Sequence, residues 1–293
     1  MYRILLTYLR MNDLQKKQLE ILKEFIRVCE KHNLRYFLVG GTCLGAARHG
    51  GFIPWDDDID VGMPREDYDK YLELQHEYDG TPYFIQTWKS DPRYCYNFAK
   101  LRDSSTTFIE SYFWKHRINH GVWIDIFPID GMSLKDDKPR KKYSKRVLYI
   151  WANVYISYMP QLRRKFKKGT FFLDLLINIA AILTWPFDIA HYRRKRCEKY
   201  MRKVPYDKAV LVGNLCGTNP KKEAMPKTLF EEFTKLKFED IEASVPKDYD
   251  AYLTYLFRDW RKLPPKDKQV GHHVDKGLSL TQDYKSYIIE HKI

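Results

Sequence analysis

Gly50-Gly51-Phe52-Ile53-Pro54-Trp55-Asp56-Asp57-Asp58-Ile59-Asp60 is the stretch on which the reading of this chain turns, and it follows Gly40-Gly41-Thr42 after a short interval. Four carboxylates in five positions, with apolar neighbours on both sides, are costly for a folded chain to gather. If Asp58-Ile59-Asp60-Val61 is a strand, Asp58 and Asp60 share one face while Ile59 and Val61 enter the core. The Cα atoms of the two acids are then about 7 Å apart, so both carboxylates can turn toward one ion. Like charges so placed raise each other's pKa unless a cation neutralises them. The economical explanation is a divalent metal, Mg²⁺ or Mn²⁺, which favours a few carboxylates with phosphate oxygens and water. Phosphate chemistry is the expectation.

Working outward, Gly40 and Gly41 let the backbone approach a ligand closely, and N–H groups at a following helix start form a phosphate cradle. Thr42 is expected to cap that helix, which runs to about Arg48. A third carboxylate is expected on a neighbouring strand, and Val122-Trp123-Ile124-Asp125-Ile126-Phe127 holds a lone acid in an apolar run. Asp58, Asp60 and Asp125 are therefore the expected metal ligands; a salt bridge to Lys or Arg is the alternative for Asp125. Asp130 is the nearest rival, placed on a loop by Pro128 and Gly131. Asp56, sharing parity with Asp58 and Asp60, is the expected general base, the alternative being a solvated acidic loop. Arg48 and Lys100 are the expected cationic contacts to nucleotide phosphates, with Arg102 behind them. The pair His272-His273 is an incidental feature or a substrate contact. No HExxH, CxxC, Walker A or GxSxG pattern occurs, which removes the usual zinc-protease, redox, P-loop and serine-hydrolase readings.

The whole chain agrees with anionic partners. It has 293 residues, 51 Lys and Arg against 38 Asp and Glu, and a net charge of +13. Such a surplus suits phosphorylated substrates, a membrane surface or nucleic acid without choosing among them. The five cysteines (Cys29, Cys43, Cys95, Cys197, Cys216) show no paired spacing and are expected to be reduced, in a cytoplasmic protein. The N-terminal residues are too short and interrupted an apolar run for a secretory signal. The most apolar segment, Phe171 to Ala190, contains Asp174, Asn178, Pro186 and Asp188 and falls short of a membrane span. Arg163 to Lys168 precede it and Arg193 to Arg196 follow. The region reads either as a helical subdomain with solvated charges or as helices lying on an anionic leaflet, peripheral to the inner membrane face.

Element order points to a mixed α/β or α+β domain. An amphipathic helix over residues 12 to 32 precedes a buried strand at Tyr36 to Val39. The Gly-Gly helix, the acidic strand and a helix from Pro64 to about Tyr78 come next. Short strands are expected at Tyr83 to Gln86, Tyr96 to Lys100, Thr106 to Ile109 and Val122 to Phe127. Beyond Lys135 the chain reads mainly helical, including Tyr249 to Trp260, with Pro264-Pro265 ending any helix. Two regions follow, 1–134 and 135–293, with a soft boundary in Lys135 to Lys142.

The run from Gly40 through Met63 resembles the signature of the LicD family, bacterial phosphocholine transferases of cell-surface glycopolymers related to fukutin-type ribitol-phosphate transferases. Phe98-Ala99-Lys100-Leu101-Arg102-Asp103 and Gly121 to Asp130 extend the likeness over about residues 15–133, with a fainter match from Tyr252-Leu253 to Pro265. The resemblance implies a nucleotidyltransferase-like fold. It also implies transfer of a phospho-alcohol, CDP-choline being the favoured donor, to a hydroxyl of a glycan or its lipid-linked precursor, with CMP released. By motif it makes Asp58, Asp60 and Asp125 metal ligands and Gly40, Gly41 and Thr42 the phosphate cradle; no nucleic acid is expected. Two features depart from the pattern: Phe257-Arg258-Asp259-Trp260 stands where an aromatic-Gly-Asp turn is expected, and Lys141 to Arg196 match no motif. Two other functions remain open: a nucleotidyltransferase releasing pyrophosphate, and a non-catalytic protein of the membrane surface.

Overall fold

The computed structural model of the protein describes residues 11–111, 113–114, 116–134, 171–172, 175–176, 179, 189–217, 223–271, 273 and 275–293. Asn12 opens helix α1 (Asp13–Lys31) with a reciprocal cap: its Oδ1 accepts the Gln15 N–H at 2.8 Å, and Gln15 Oε1 accepts the Asn12 N–H at 3.0 Å. Two donors that the first turn leaves without helical partners are thereby satisfied. Leu19, Leu22, Phe25, Ile26 and Cys29, spaced along one side of α1, are buried as expected.

Next come β1 (Phe37–Leu38), α2 (Gly40–His49), β2 (Asp60–Pro64) and α3 (Arg65–Leu72). They are followed by β3 (Tyr83–Gln86), β4 (Ala99–Asp103), β5 (Thr107–Glu110) and β6 (Val122–Ser133). The remaining described elements are α4 (Ile189–Met201), β7 (Leu211–Asn214), β8 (Met225–Pro226), β9 (Phe233–Phe238), β10 (Ile241–Pro246), α5 (Tyr249–Phe257), β11 (Asp275–Ser279) and α6 (Tyr284–His291). The main sheet has the order β1-β2-β6-β4-β3, with β7 on the far half of β6 and β8 on β7. β2 runs parallel to β6 and the other neighbours pair antiparallel. This is a mixed sheet with helices, of the α+β kind expected. β6 is buried from Val122 to Met132, as befits a central strand covered on both faces.

The structure corrects four expectations. β2 begins at Asp60, so Asp58 lies in the preceding loop and side-chain alternation applies to Asp60 alone. Helix α2 begins at Gly40, which puts Thr42 inside its first turn; the Thr42 hydroxyl accepts the Asp60 N–H at 2.8 Å instead of capping. β6 continues through Pro128, because that residue falls between the β4 ladder ending at Ile126 and the β7 ladder starting at Ile129. Asp130 therefore sits on the strand. The C-terminal part is not mainly helical where described: β7 to β11 all lie there, and β7 pairs with β6. Phe233-Thr-Lys-Leu-Lys-Phe does alternate, yet its charges hide a strand that pairs only with β10.

The boundary at Lys135 to Lys142, the Arg163 to Lys168 run and most of the Phe171 to Ala190 segment lie outside the described residues. Among the described residues no helix is long and apolar enough to cross a membrane. All five cysteines are free, and four are buried.

Candidate active site

The site forms where the glycine turn, the acidic loop and the ends of β2 and β6 meet. β1 hands the chain to α2 through Gly40, whose φ of 56° is a left-handed conformation that glycine adopts without strain. A Cβ on Gly41 would stand 2.9 Å from Asp56 Oδ2, and one on Gly40 3.3 Å from Asp60 Oδ2. The start of α2 is thus pressed against two carboxylates, and a larger residue would fill the space between them. The Gly40 N–H donates to the Tyr252 hydroxyl of α5 at 2.9 Å.

Helix α1 fixes the acidic loop through its backbone. Gln15 Nε2 donates to the Asp56 carbonyl at 2.9 Å and Gln18 Nε2 to the Asp57 carbonyl at 2.8 Å. Both glutamines are buried, and each terminates a loop carbonyl that would otherwise go unsatisfied. Nothing in the amphipathic pattern of α1 identified them, since they read as polar interruptions.

Asp60 and Asp125 are register partners on the parallel strands β2 and β6, and Asp125 is also the register partner of Lys100 on β4. The three residues form a row across three strands, side chains on one face. Lys100 Nζ lies 2.9 Å from Asp125 Oδ1, 3.9 Å from Glu110 Oε2 and 3.9 Å from the Trp123 ring centroid. The salt bridge considered as the alternative for Asp125 is therefore present.

Burial dominates the electrostatics, and crowding of like charge adds to it. Burial, then repulsion from Asp57, pushes the Asp56 carboxyl up to about 6. Burial, then Asp56, pushes Asp58 up to about 7. Asp60 is raised well above the carboxylate range by burial, with Asp58 and Asp125 adding to it. Asp57 is paired differently. Its Oδ2 accepts the His273 N–H at 2.8 Å, and its Oδ1 lies 3.0 Å from His273 Nδ1.

Not every expected site residue gathers here. Lys100 is 2% exposed and consumed by Asp125, so it does not face a ligand as expected. Arg48 lies near the far end of α2, roughly 12 Å along the axis from Gly40 at 1.5 Å per residue. Its Nη1 donates to the Trp260 carbonyl at 2.9 Å, which anchors the loop after α5. Arg102 is fully buried and donates to Gln86 Oε1 and to the Gly121 carbonyl, both at 2.6 Å. Asp130 forms a bidentate pair with Arg65 at 2.7 and 2.6 Å and takes no part in the site.

Two residues outside the expected ligand set act on it, His273 having been read as an incidental feature or a substrate contact. His273 approaches from the C-terminal segment, and Glu223 stands among the charges acting on Asp60, its own carboxyl pushed up to about 8 by burial. The His272-His273 doublet was the available signal for the first; Glu223 gives none within its lysine-rich surroundings.

The donor set fits a hard divalent cation: Asp58, Asp60 and Asp125 offer only oxygens, beside a turn that a Cβ would fill. Among the described residues, however, the donor atoms found within 4.8 Å of one another are those of Asp57, Asp58 and His273. The expected trio is more open, with Asp125 drawn to Lys100 and the acids repelling one another.

Residues 33–150 match the family profile described as LicD/FKTN/FKRP, nucleotidyltransferase domain. Over 275 residues the chain is 28% identical to the lipopolysaccharide cholinephosphotransferase LicD of Haemophilus influenzae, covering 93% of this chain and 99% of that one. It is 45% identical over 56 residues to the ribitol 5-phosphate transferase FKRP of human and of mouse, covering 19% of this chain and 11% of those proteins. The profile match contains the glycine turn, the acidic loop and Asp125 together, so this part of the chain is similar to the nucleotidyltransferase domain of LicD-type phosphotransferases.

Proposed function

We propose that the protein transfers a phospho-alcohol, phosphocholine before others, from a CDP-activated donor to a hydroxyl of a cell-surface glycan or its lipid-linked precursor, releasing CMP. The observation that carries this reading is the pairing of Asp60 with Asp125 across parallel strands beside the Gly40-Gly41 turn. A nucleotidyltransferase-like fold agrees with that arrangement. The likeness to the Haemophilus enzyme along nearly its whole length supports phosphocholine and a glycan acceptor.

In the proposed site Asp58, Asp60 and Asp125 would hold Mg²⁺ or Mn²⁺, which when bound draws negative charge from the donor's diphosphate and relieves the repulsion among these acids. Backbone N–H groups at the start of α2 receive a phosphate oxygen, aided by the positive end of the helix. Lys100 holds Asp125 on the sheet face through their 2.9 Å contact and so positions it rather than binding phosphate. Asp56, pushed up to about 6, is mostly ionised at neutral pH and accepts the proton of the attacking hydroxyl. Placement and charge stabilisation supply most of the acceleration, as for phosphoryl transfer in general.

The test is product analysis with purified protein, Mg²⁺ and a panel of CDP-alcohols. CMP released with CDP-choline above the others, and abolished by chelation, is the expected result. Pyrophosphate released from a nucleoside triphosphate instead would establish the nucleotidyltransferase reading and end this one. Peripheral attachment to the inner face of the membrane is proposed from the exposed Tyr192, Lys195, Arg196 and Lys199 of α4. Reversing the three charges to Glu should release the protein from vesicles rich in anionic lipid; unchanged co-sedimentation refutes the attachment.

A further inference from the structure

The acid cluster is crowded with carboxylates, and the cationic partner it receives from the C-terminal segment is His273. That residue is delivered by a defined piece of structure. β11 pairs antiparallel with β5, matching Asp275 with Glu110, Gly277 with Ile109, Leu278 with Phe108 and Ser279 with Thr107. Thr107 Oγ1 also donates to the Gln282 carbonyl at 2.8 Å. Just before β11 the chain passes so close to Asp57 that a Cβ on Gly271 would stand 2.6 Å from its Oδ2. The imidazole packs against one pair of adjoining rings, edge-on to Trp123 at 5.4 Å and to Phe108 at 6.5 Å between ring centroids.

His273 Nδ1 lies 3.0 Å from Asp57 Oδ1 and 4.0 Å from Asp58 Oδ2. Ligand atoms about 2.1 Å from a shared divalent ion stand roughly 3.0 to 3.5 Å apart in octahedral or tetrahedral coordination. All three donor atoms lie within 4.8 Å of one another, so shifts of up to about one ångström close them on one ion. Their character differs from that of Asp58, Asp60 and Asp125, because an imidazole nitrogen suits first-row transition metals and adds little for Mg²⁺.

We infer that Asp57, Asp58 and His273 form a second, mixed nitrogen–oxygen cation site beside the all-carboxylate one, sharing Asp58 with it and favouring Mn²⁺ or Zn²⁺ over Mg²⁺. The inference deepens the proposed function and rests on its claim that the acid cluster binds divalent metal. It makes the C-terminal segment part of the metal centre, with metal binding and the seating of β11 thermodynamically linked.

Mn²⁺ is the probe. The full chain is titrated with Mn²⁺ while free ion is followed by electron paramagnetic resonance, and bound ion is examined for ¹⁴N echo-envelope modulation, the signature of a directly ligated imidazole. Wild type should show the modulation. His273→Gln should abolish it and weaken Mn²⁺ binding at least about tenfold, with Mg²⁺ affinity nearly unchanged. Mn²⁺ bound without ¹⁴N modulation, or modulation surviving in His273→Gln, overturns this inference alone; the wild-type spectrum decides even if the variant does not fold. Failure of wild type to bind Mn²⁺ or Mg²⁺ overturns the inference together with the metal-dependent reading beneath it.

Discussion

Replacing Lys100 by Met removes the charge from the centre of the sheet while keeping most of the side-chain volume. Lys100 and Asp125 are 2% and 9% exposed at the side chain, so solvent screens their 2.9 Å pairing little. Breaking a buried pair at one partner costs roughly 3–5 kcal/mol, and loss of the cation over the Trp123 ring adds up to about 2 kcal/mol. A net loss of about 4 kcal/mol is expected in metal-free buffer. At roughly 2–4 °C per kcal/mol for a chain of this size, Tm should fall by about 8–16 °C. The assay is thermal or urea denaturation of Lys100→Met, Asp125→Asn and the double variant, with and without divalent cation. The double variant should recover most of the loss, since it no longer buries an uncompensated charge. Saturating Mg²⁺ should also restore part of it by occupying the freed carboxylate. A loss below about 1 kcal/mol for Lys100→Met, in the range of an exposed ion pair, would refute the positioning role given to this lysine.

Three further outcomes are expected. Arg258 ends α5 at φ 62° and ψ −107°, a conformation disfavoured for any residue with a Cβ, so Arg258→Gly should stabilise the protein by about 1 kcal/mol; a lower midpoint in urea would contradict this. Because Asp58 is pushed up to about 7, the folded chain keeps a proton that the unfolded chain has lost, and metal-free stability falls as pH rises from about 4 to about 7. Asp58→Asn should therefore gain stability relative to wild type across that window, while losing turnover with the metal ligand; equal pH slopes for the two proteins would show that burial and repulsion do not raise this carboxyl. Gly41→Ala places a methyl about where Asp56 Oδ2 needs room, and should weaken donor binding at least about tenfold with little change in Tm; unchanged KM for the donor would dissociate the turn from the phosphates.

How much of this was legible in the sequence depended on the range of the interaction. Helix α1 was readable because its apolar positions recur at helical spacing, and β3 because its ends coincide with turn-forming residues. Asp60 and Asp125 were singled out because an acid inside an apolar run needs a reason, and the structure places them as neighbours across two strands. The identity of the partner that answers each charge was not legible. Lys100 and Arg48 both looked like free cations, yet one is consumed by a carboxylate on the adjacent strand β6 and the other by backbone carbonyls 212 and 214 positions along the chain. His273 reaches Asp57 across 216 positions, a separation at which no local pattern carries information. Of the strands missed, β8 has only two residues, and β9 carries exposed charges on the face that alternation would make polar.

The most direct measurement is a Mn²⁺-soaked crystal of the full chain examined by anomalous scattering. A peak coordinated by Asp58, Asp60 and Asp125 at one ion is predicted, with Lys100 still beside Asp125, whether or not a second peak lies at Asp57, Asp58 and His273. A map in which no Mn²⁺ meets Asp60 and Asp125, with Asp125 beyond reach of the other two acids, would contradict the three-acid site.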